Sequence, residues 1–247
     1  MELICQYDLL RLESYQTVQK GIHFLSQDSL HAFCFYGLDY FNYSFKSSEV
    51  PYTNEELNLI QAFYRSNGIA KFKVLSPLPE ENLLHAGFKI EKSFIKQTLP
   101  TLNSFEDVGP TTFEWVNENN IDIFTEAYLT SFEAKDKNLQ EVINNFKQLL
   151  THNNIKLFLM KDNGVAVGVI VKYIHNEKGL LAGGAVLPVY RAKNYHKDGI
   201  KFRVNQLLAN PAIKEIETWT YANSPSNRNM LSCGFADNKT YYLYASN

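Results

Sequence analysis

The chain has 247 residues, 45% of them hydrophobic and 20% charged, with a formal net charge of −2. That length suits one large domain or two of ordinary size, and the composition argues against long disordered tails. The near-neutral balance gives no global attraction to nucleic acid or an anionic membrane, so any anion site has to be local.

The opening stretch MELICQYDLLRLESY carries Glu2 and Asp8 and no apolar run suited to a signal peptide. Leu3, Tyr7, Leu10 and Ser14 fall on one helical face, which predicts a helix over 3–20 closed by Gly21. Leu30 to Leu38 is dense in aromatics and reads as a strand. The loop DYFNYSF after it is a candidate wall for an acceptor pocket between two halves. The plainer reading of Tyr40, Phe41 and Tyr43 is sheet packing. Thr53 and Glu56 form a capping box ahead of Leu57, Ile60 and Tyr64, predicting a helix from 53 to the Asn67-Gly68 pair. A strand KFKVL follows, then a short helical turn after Pro79 that ends at Gly87-Phe88, then the alternating strand FKIEKSFIKQTL.

Pro100 to Thr112 holds two prolines and a glycine without periodicity. It reads as a linker, so domains of 1–105 and 106–247 are expected. Beyond it the pattern gives a strand TFEWV, helices near 121–132 and 139–151, and a hairpin turning at Asp162-Asn163-Gly164. The strand Leu180 to Leu187 comes next, then a helix with Ile200, Val204, Leu207 and Leu208 buried. A strand EIETWTY, a short helix from Ser226 to Cys233 and a last strand KTYYLYA complete the chain. This order predicts an α/β fold, a mixed sheet layered with helices. The longest oily run, Val165 to Val171, falls far short of the roughly 20 residues that span a bilayer. Cys5, Cys34 and Cys233 are far apart and in no CxxC spacing, which suits a reducing compartment. A cytoplasmic protein is expected.

Two segments carry a resemblance. GAVLPVYRAKNYH, 184–196, is similar to the strand-Pro-x-x-Arg-Gly-x-Gly-x-Gly/Ala segment of the GNAT superfamily of acyl-CoA-dependent N-acyltransferases. NSPSNRNMLSCGF, 223–235, is similar to that family's Asn-x-x-Ala-x-x-x-Tyr-x-x-x-Gly-Phe. Residues 111–247 thus resemble a complete GNAT domain. The N-terminal half resembles a degenerate copy, with Ser76-Pro77 and Gly87-Phe88 standing like Ser224-Pro225 and Gly234-Phe235. The resemblance implies two tandem GNAT-like halves and an N-acetyltransferase that moves an acetyl group from acetyl-CoA to an amine by direct attack in a ternary complex.

It also implies a cofactor site. Backbone amides from Arg191 through Ala192, Lys193, Asn194 and Tyr195 to His196 would hold the pyrophosphate at a helix N-terminus, with Asn223 and Ser226 flanking. Val186 and Leu187 would pair with the pantetheine arm, one N–H polarising the thioester carbonyl. Three positions depart from the family: Ala192, Asn194 and His196 stand where glycines allow positive φ. Asn is the best substitute for left-handed backbone, and the His196 imidazole could donate to a phosphate. Arg191 reads equally as a surface salt bridge. Met230 stands where many relatives carry a tyrosine acid, which leaves Tyr221, Ser226, Ser232 and Tyr195 as stand-ins and Glu217 as a candidate base. The six histidines show no metal-ligand spacing, and no metal is expected. The partner expected is a small-molecule or peptide amine, with no nucleic acid and no membrane. Two rival readings remain: a catalytically silent acyl-CoA-binding module, and a tandem transferase using aminoacyl-tRNA, against which the charge balance counts.

Overall fold

The computed structural model describes residues 1–134 and 138–246. Two compact units make up the chain: Met1–Lys96 with Thr220–Ala222 and Asn238–Asn247, and Gln97–Trp219 with Asn223–Asp237. They interleave along the sequence rather than dividing at residue 105.

The first unit opens with helix α1 (Leu3–Tyr15), which stops short of residue 20. Both the amide and the hydroxyl of Thr17 turn back to the Ser14 carbonyl, so the helix closes in a turn. Strands β1 (Ile22–Gln27) and β2 (Leu30–Phe35) form an antiparallel hairpin. β1 was not foreseen, because only Ile22 in it is buried and no alternation marks it. β3 (Tyr43–Lys46) pairs with β2. The segment DYFNYSF packs into this unit's interior: Phe41 is 0% exposed, and Tyr43 and Phe45 are buried with Phe33. The packing reading therefore holds for Phe41 and Tyr43.

Helix α2 (Asn54–Ser66) begins at the predicted capping box, with the Glu56 amide bonded to Thr53 Oγ1 and the Thr53 amide to Glu56 Oε2. Leu57, Ile60 and Tyr64 bury its inner stripe, each contributing about 1.5–3 kcal/mol of apolar transfer. β4 (Lys73–Ser76), α3 (Glu81–His85) and β5 (Lys89–Thr98) follow in the predicted order.

The second unit runs through β6 (Thr112–Trp115), α4 (Ile121–Ser131), α5 (Leu139–Leu150), β7 (Ile155–Asp162), β8 (Val165–His175) and β9 (Lys178–Val186). Then come α6 (Tyr195–Leu208), β10 (Glu215–Tyr221) and α7 (Pro225–Ser232). Its strands stand in the order β10-β9-β8-β7-β6, parallel between β9 and β10 and antiparallel elsewhere. Leu181, Ile200, Val204, Leu207, Ile216, Met230 and Phe235 form a core between the sheet, α6 and α7. The stretch expected as a linker is irregular but pinned to α6. The Phe105 amide and carbonyl bond the Asn205 side chain (2.7 and 2.8 Å), and Thr111 Oγ1 donates to Asp198 Oδ2 (2.5 Å).

The last strand, β11 (Ala236–Ala245), pairs antiparallel with β4, from Tyr242↔Ser76 to Ala245↔Lys73. The first unit is thus closed by the C-terminus of the chain. Its strands are ordered β1-β2-β3-β4-β11, with β3 and β4 parallel.

Candidate functional site

After β9, Pro188–Tyr190 make one 3-10 turn and Arg191 is extended. Ala192 (φ 67°) and Asn194 (φ 64°) then take left-handed conformations, and Asn194 is the N-cap of α6. Asn tolerates this region, while Ala there costs about 1–2 kcal/mol. Two of the three absent glycines have therefore been replaced without losing the backbone shape they would serve. The Asn194 carbonyl takes the amides of Lys197 (2.8 Å) and Asp198 (3.1 Å). Among the described residues, the amides of Ala192, Lys193, Asn194, Tyr195 and His196 have no acceptor, and no side chain caps the helix. A run of unsatisfied N–H groups at a helix N-terminus attracts an anion.

The side chains of this loop turn elsewhere. Arg191 pairs with Glu133 (3.1 Å) and donates to the Ser131 carbonyl (3.0 Å), which is the surface salt bridge weighed above. Lys193 lies over the Tyr190 ring. Tyr195 is buried in an apolar cluster with Phe158, Met160 and Ile170, and its phenol donates to Asp162 Oδ2 (2.5 Å), which raises its pKa. His196 is half-buried, not turned out to solvent. Asn229 Nδ2 of α7 meets its Nδ1 (3.2 Å), and the Gly184 backbone of β9 lies beside the ring. Desolvation, helped by the nearby Arg203 charge, pushes its pKa down to about 4, so the ring is neutral.

Beside the loop, the ladder between β9 and β10 ends early. Only Glu215↔Lys178, Ile216↔Gly179 and Glu217↔Leu180 pair, and Thr218 Oγ1 then bonds the Leu181 carbonyl (2.9 Å). Further along, β9 keeps β8 on one side and, among the described residues, has no strand on the other. The Leu187 amide is committed to Val167 (2.9 Å), which makes that pair hydrogen-bonded. By antiparallel alternation, Gly184 and Val186 then point their N–H and C=O groups to the open edge. Of the two residues expected to meet a pantetheine arm, Val186 has an amide free to do so and Leu187 does not.

On the far side, Asn223 is left-handed (φ 59°) and its carbonyl accepts from Arg228 (2.6 Å). Ser224 caps α7 through the Asn227 amide, and Ser226 sits half-buried in the first turn. Met230 is 2% exposed in the apolar core, so a hydrophobic anchor fills the position of the absent tyrosine. Of the catalytic candidates, Glu217 is buried and accepts from Trp219 Nε1 (3.2 Å). Ser232 is exposed and closes the last turn of α7 on the Asn229 carbonyl. Tyr221 lies in the first unit, stacked on Phe94 (4.5 Å).

Sequence reasoning missed Arg203. It is 0% exposed on α6, and burial lowers its pKa to about 9. A charged residue on a helix reads as solvent-facing, and only its place within the Ile200-Val204-Leu207 stripe hinted otherwise. Asn229, the partner of His196, left no signal at all. Among the described residues, no group of three His, Cys, Asp or Glu side chains could hold a metal. Nor is any helix among the described residues long and apolar enough to cross a membrane. A cleft of about 520 Å³ at the other end of α6, lined by Leu102, Asn205, Leu208 and Ile213, carries no charged side chain.

Comparison with solved structures gives the class. A GCN5-related N-acetyltransferase from Kribbella flavida is similar at TM-score 0.63 and 12% identity, over 100% of this chain and 96% of that one. A functionally unknown conserved protein from Staphylococcus epidermidis is similar at 0.64 and 14%, over 94% and 96%. The chain has the GNAT fold. Its particular form is the tandem one: a tandem GNAT protein from the clavulanic acid biosynthesis pathway is similar at TM-score 0.62 and 9% identity, over 88% of this chain and 78% of that one. At such identities the likeness is one of fold. No protein-family model matches the sequence, and no curated protein matches it.

Proposed function

We propose that this protein is an acyl-CoA-dependent N-acyltransferase, most simply an N-acetyltransferase, acting in the cytoplasm on a small-molecule or peptide amine. The observation that carries this reading is the free run of amides from Ala192 to His196 beside the unpaired edge of β9. Those amides fit a pyrophosphate, and Ala192 and Asn194 hold them in the required curve. The Val186 amide would polarise the thioester carbonyl as negative charge develops on its oxygen. The amine lone pair attacks that carbonyl, the C–S bond breaks, and CoA leaves as thiolate. The amine proton goes to solvent or a nearby base. With Met230 buried and apolar, positioning and oxyanion stabilisation would supply most of the rate.

Calorimetry with CoA and acetyl-CoA tests this first: saturable binding of one equivalent is expected, followed by acetylated product from an amine panel seen by mass spectrometry. Absence of binding would end the reading. The burial of Met230 favours a second one, a silent acyl-CoA-binding module. Saturable binding without product across the panel would select it.

A further inference from the structure

We propose that Arg203 is a positioning residue that fixes the bulged course of β9, and with it which amides face the acyl-CoA edge. The proposal rests on the acyl-CoA reading for its ligand, but not for its structural half.

The pairing of β8 with β9 slips by one residue between Ile170 and Lys172. On one side of the slip Lys172 faces Leu181, and on the other Ile170 faces Gly184. A slip of one residue exchanges the two faces of a strand. Before it, Gly179 looks towards α6, where an added Cβ would meet Leu207 at 2.7 Å. After it, Gly184 and Val186 look that way, packed against Arg203 and the Tyr195 cluster respectively. The same slip puts the amides of Gly184 and Val186, rather than those of Ala185 and Leu187, on the open edge. The bulge therefore selects the groups that the proposed site uses.

Arg203 holds this bulge from α6. Its Nη1 donates to the carbonyls of Val171 (3.2 Å), Ala182 (3.3 Å) and Gly183 (3.5 Å), which flank the slip, and its Nε to Gly199 in its own helix (3.0 Å). Its Nη2 has no partner among the described residues. Every acceptor it bonds is a neutral carbonyl, an expensive arrangement for a fully buried cation that packing alone does not call for. Gly184 completes the fit. A Cβ there would stand 3.0 Å from Nη2 and 3.2 Å from Nη1, so the guanidinium occupies the space a side chain would need.

The test uses Arg203→Met, Arg203→Lys and Gly184→Ala in the full chain, with hydrogen exchange of the peptide covering 182–187 and CoA titration. Arg203→Met keeps length and apolar volume, so a melting temperature within a few degrees of wild type is expected. Faster exchange confined to 182–187 and at least a tenfold loss of CoA affinity are also expected. Arg203→Lys should recover part of both. Gly184→Ala should shift both in the same direction with Arg203 still present, and it decides the matter if Arg203→Met does not fold. A merely structural role would lower the melting temperature and leave the affinity of the folded protein unchanged. Wild-type exchange at 182–187 together with CoA affinity within twofold in Arg203→Met overturns the proposal. If the wild type itself binds no CoA, the acyl-CoA reading fails, and the exchange comparison still decides what Arg203 does to the strand.

Discussion

Each unit contains a strand that runs parallel to its neighbour for three residue pairs and then leads into a helix: β3 into α2, and β9 into α6. The two junctions treat their amides in opposite ways. At α2, Thr53 and Glu56 satisfy each other's amides, and the Tyr52 amide is taken by the buried Glu80 carboxylate (2.8 Å). Glu80 also accepts from Ser76 (2.6 Å), while its own amide donates to the Tyr244 phenol (2.7 Å). At α6, among the described residues, no side chain caps the helix, and the amides of 192–196 are left open. The first junction carries its anions as part of the chain; the second leaves the same kind of donors open, as the proposed acyl-CoA site would need. The two junctions thus differ in which hydrogen bonds are occupied, not in the strand-to-helix arrangement.

The strongest way to break that comparison is to remove the built-in anion. Glu80→Ala leaves the Tyr52 amide and the Ser76 hydroxyl without their acceptor in the interior, and a loss on the order of 2–4 kcal/mol is expected. Glu80→Gln should cost less because one oxygen remains. Urea unfolding measures the loss, and calorimetry should still find one CoA site of unchanged affinity. A Glu80→Ala protein as stable as wild type would show that the carboxylate seals nothing.

How much of this was legible follows from the range of each interaction. The capping box lies within four residues, so Thr53 and Glu56 could be read directly. The tolerance of Asn194 for left-handed backbone is likewise a property of one residue. Glu80 could not be assigned, since besides nearby Ser76 it is held by Tyr52, 28 positions away, and Tyr244, 164 positions away. Nor could the pairing of β11 with β4, because a strand pattern names no partner. The partner of His196 was hidden for the same reason: Asn229 reaches it only through the fold.

Acid sharpens the contrast at a smaller scale. In the second unit the His196 pKa is pushed down to about 4, so between about pH 6.5 and 4 the unfolded chain binds a proton that the folded one does not. Stability from this group falls as pH falls. In the first unit Asp8 is buried with Arg11 and Tyr43, and desolvation raises its pKa to about 6 despite the Arg11 charge. There the folded state binds the proton first, and stability from Asp8 rises as pH falls through 6. Each slope is at most about 1.4 kcal/mol per pH unit. Urea midpoints from pH 7 to 4.5 should therefore decline less in His196→Gln than in wild type, and more in Asp8→Asn. Identical pH slopes in all three proteins would contradict both assignments.

The smallest effect separates the junctions most directly, because a single small side chain is trimmed in each. Ala192 pays for its left-handed backbone, so Ala192→Gly should stabilise the chain by about 1 kcal/mol. Its loop is already formed without ligand, and CoA affinity should stay within about twofold. Thr53→Ala removes a cap whose acceptor the Glu56 amide uses and should cost about 1 kcal/mol, again with CoA affinity unchanged. Glycine should thus help the open junction, and loss of the Thr53 hydroxyl should hurt the sealed one, both read as shifts in the urea midpoint. Destabilisation by Ala192→Gly would mean that residue 192 is not left-handed in solution. The curve that holds the free amides would then have to come from Asn194 alone.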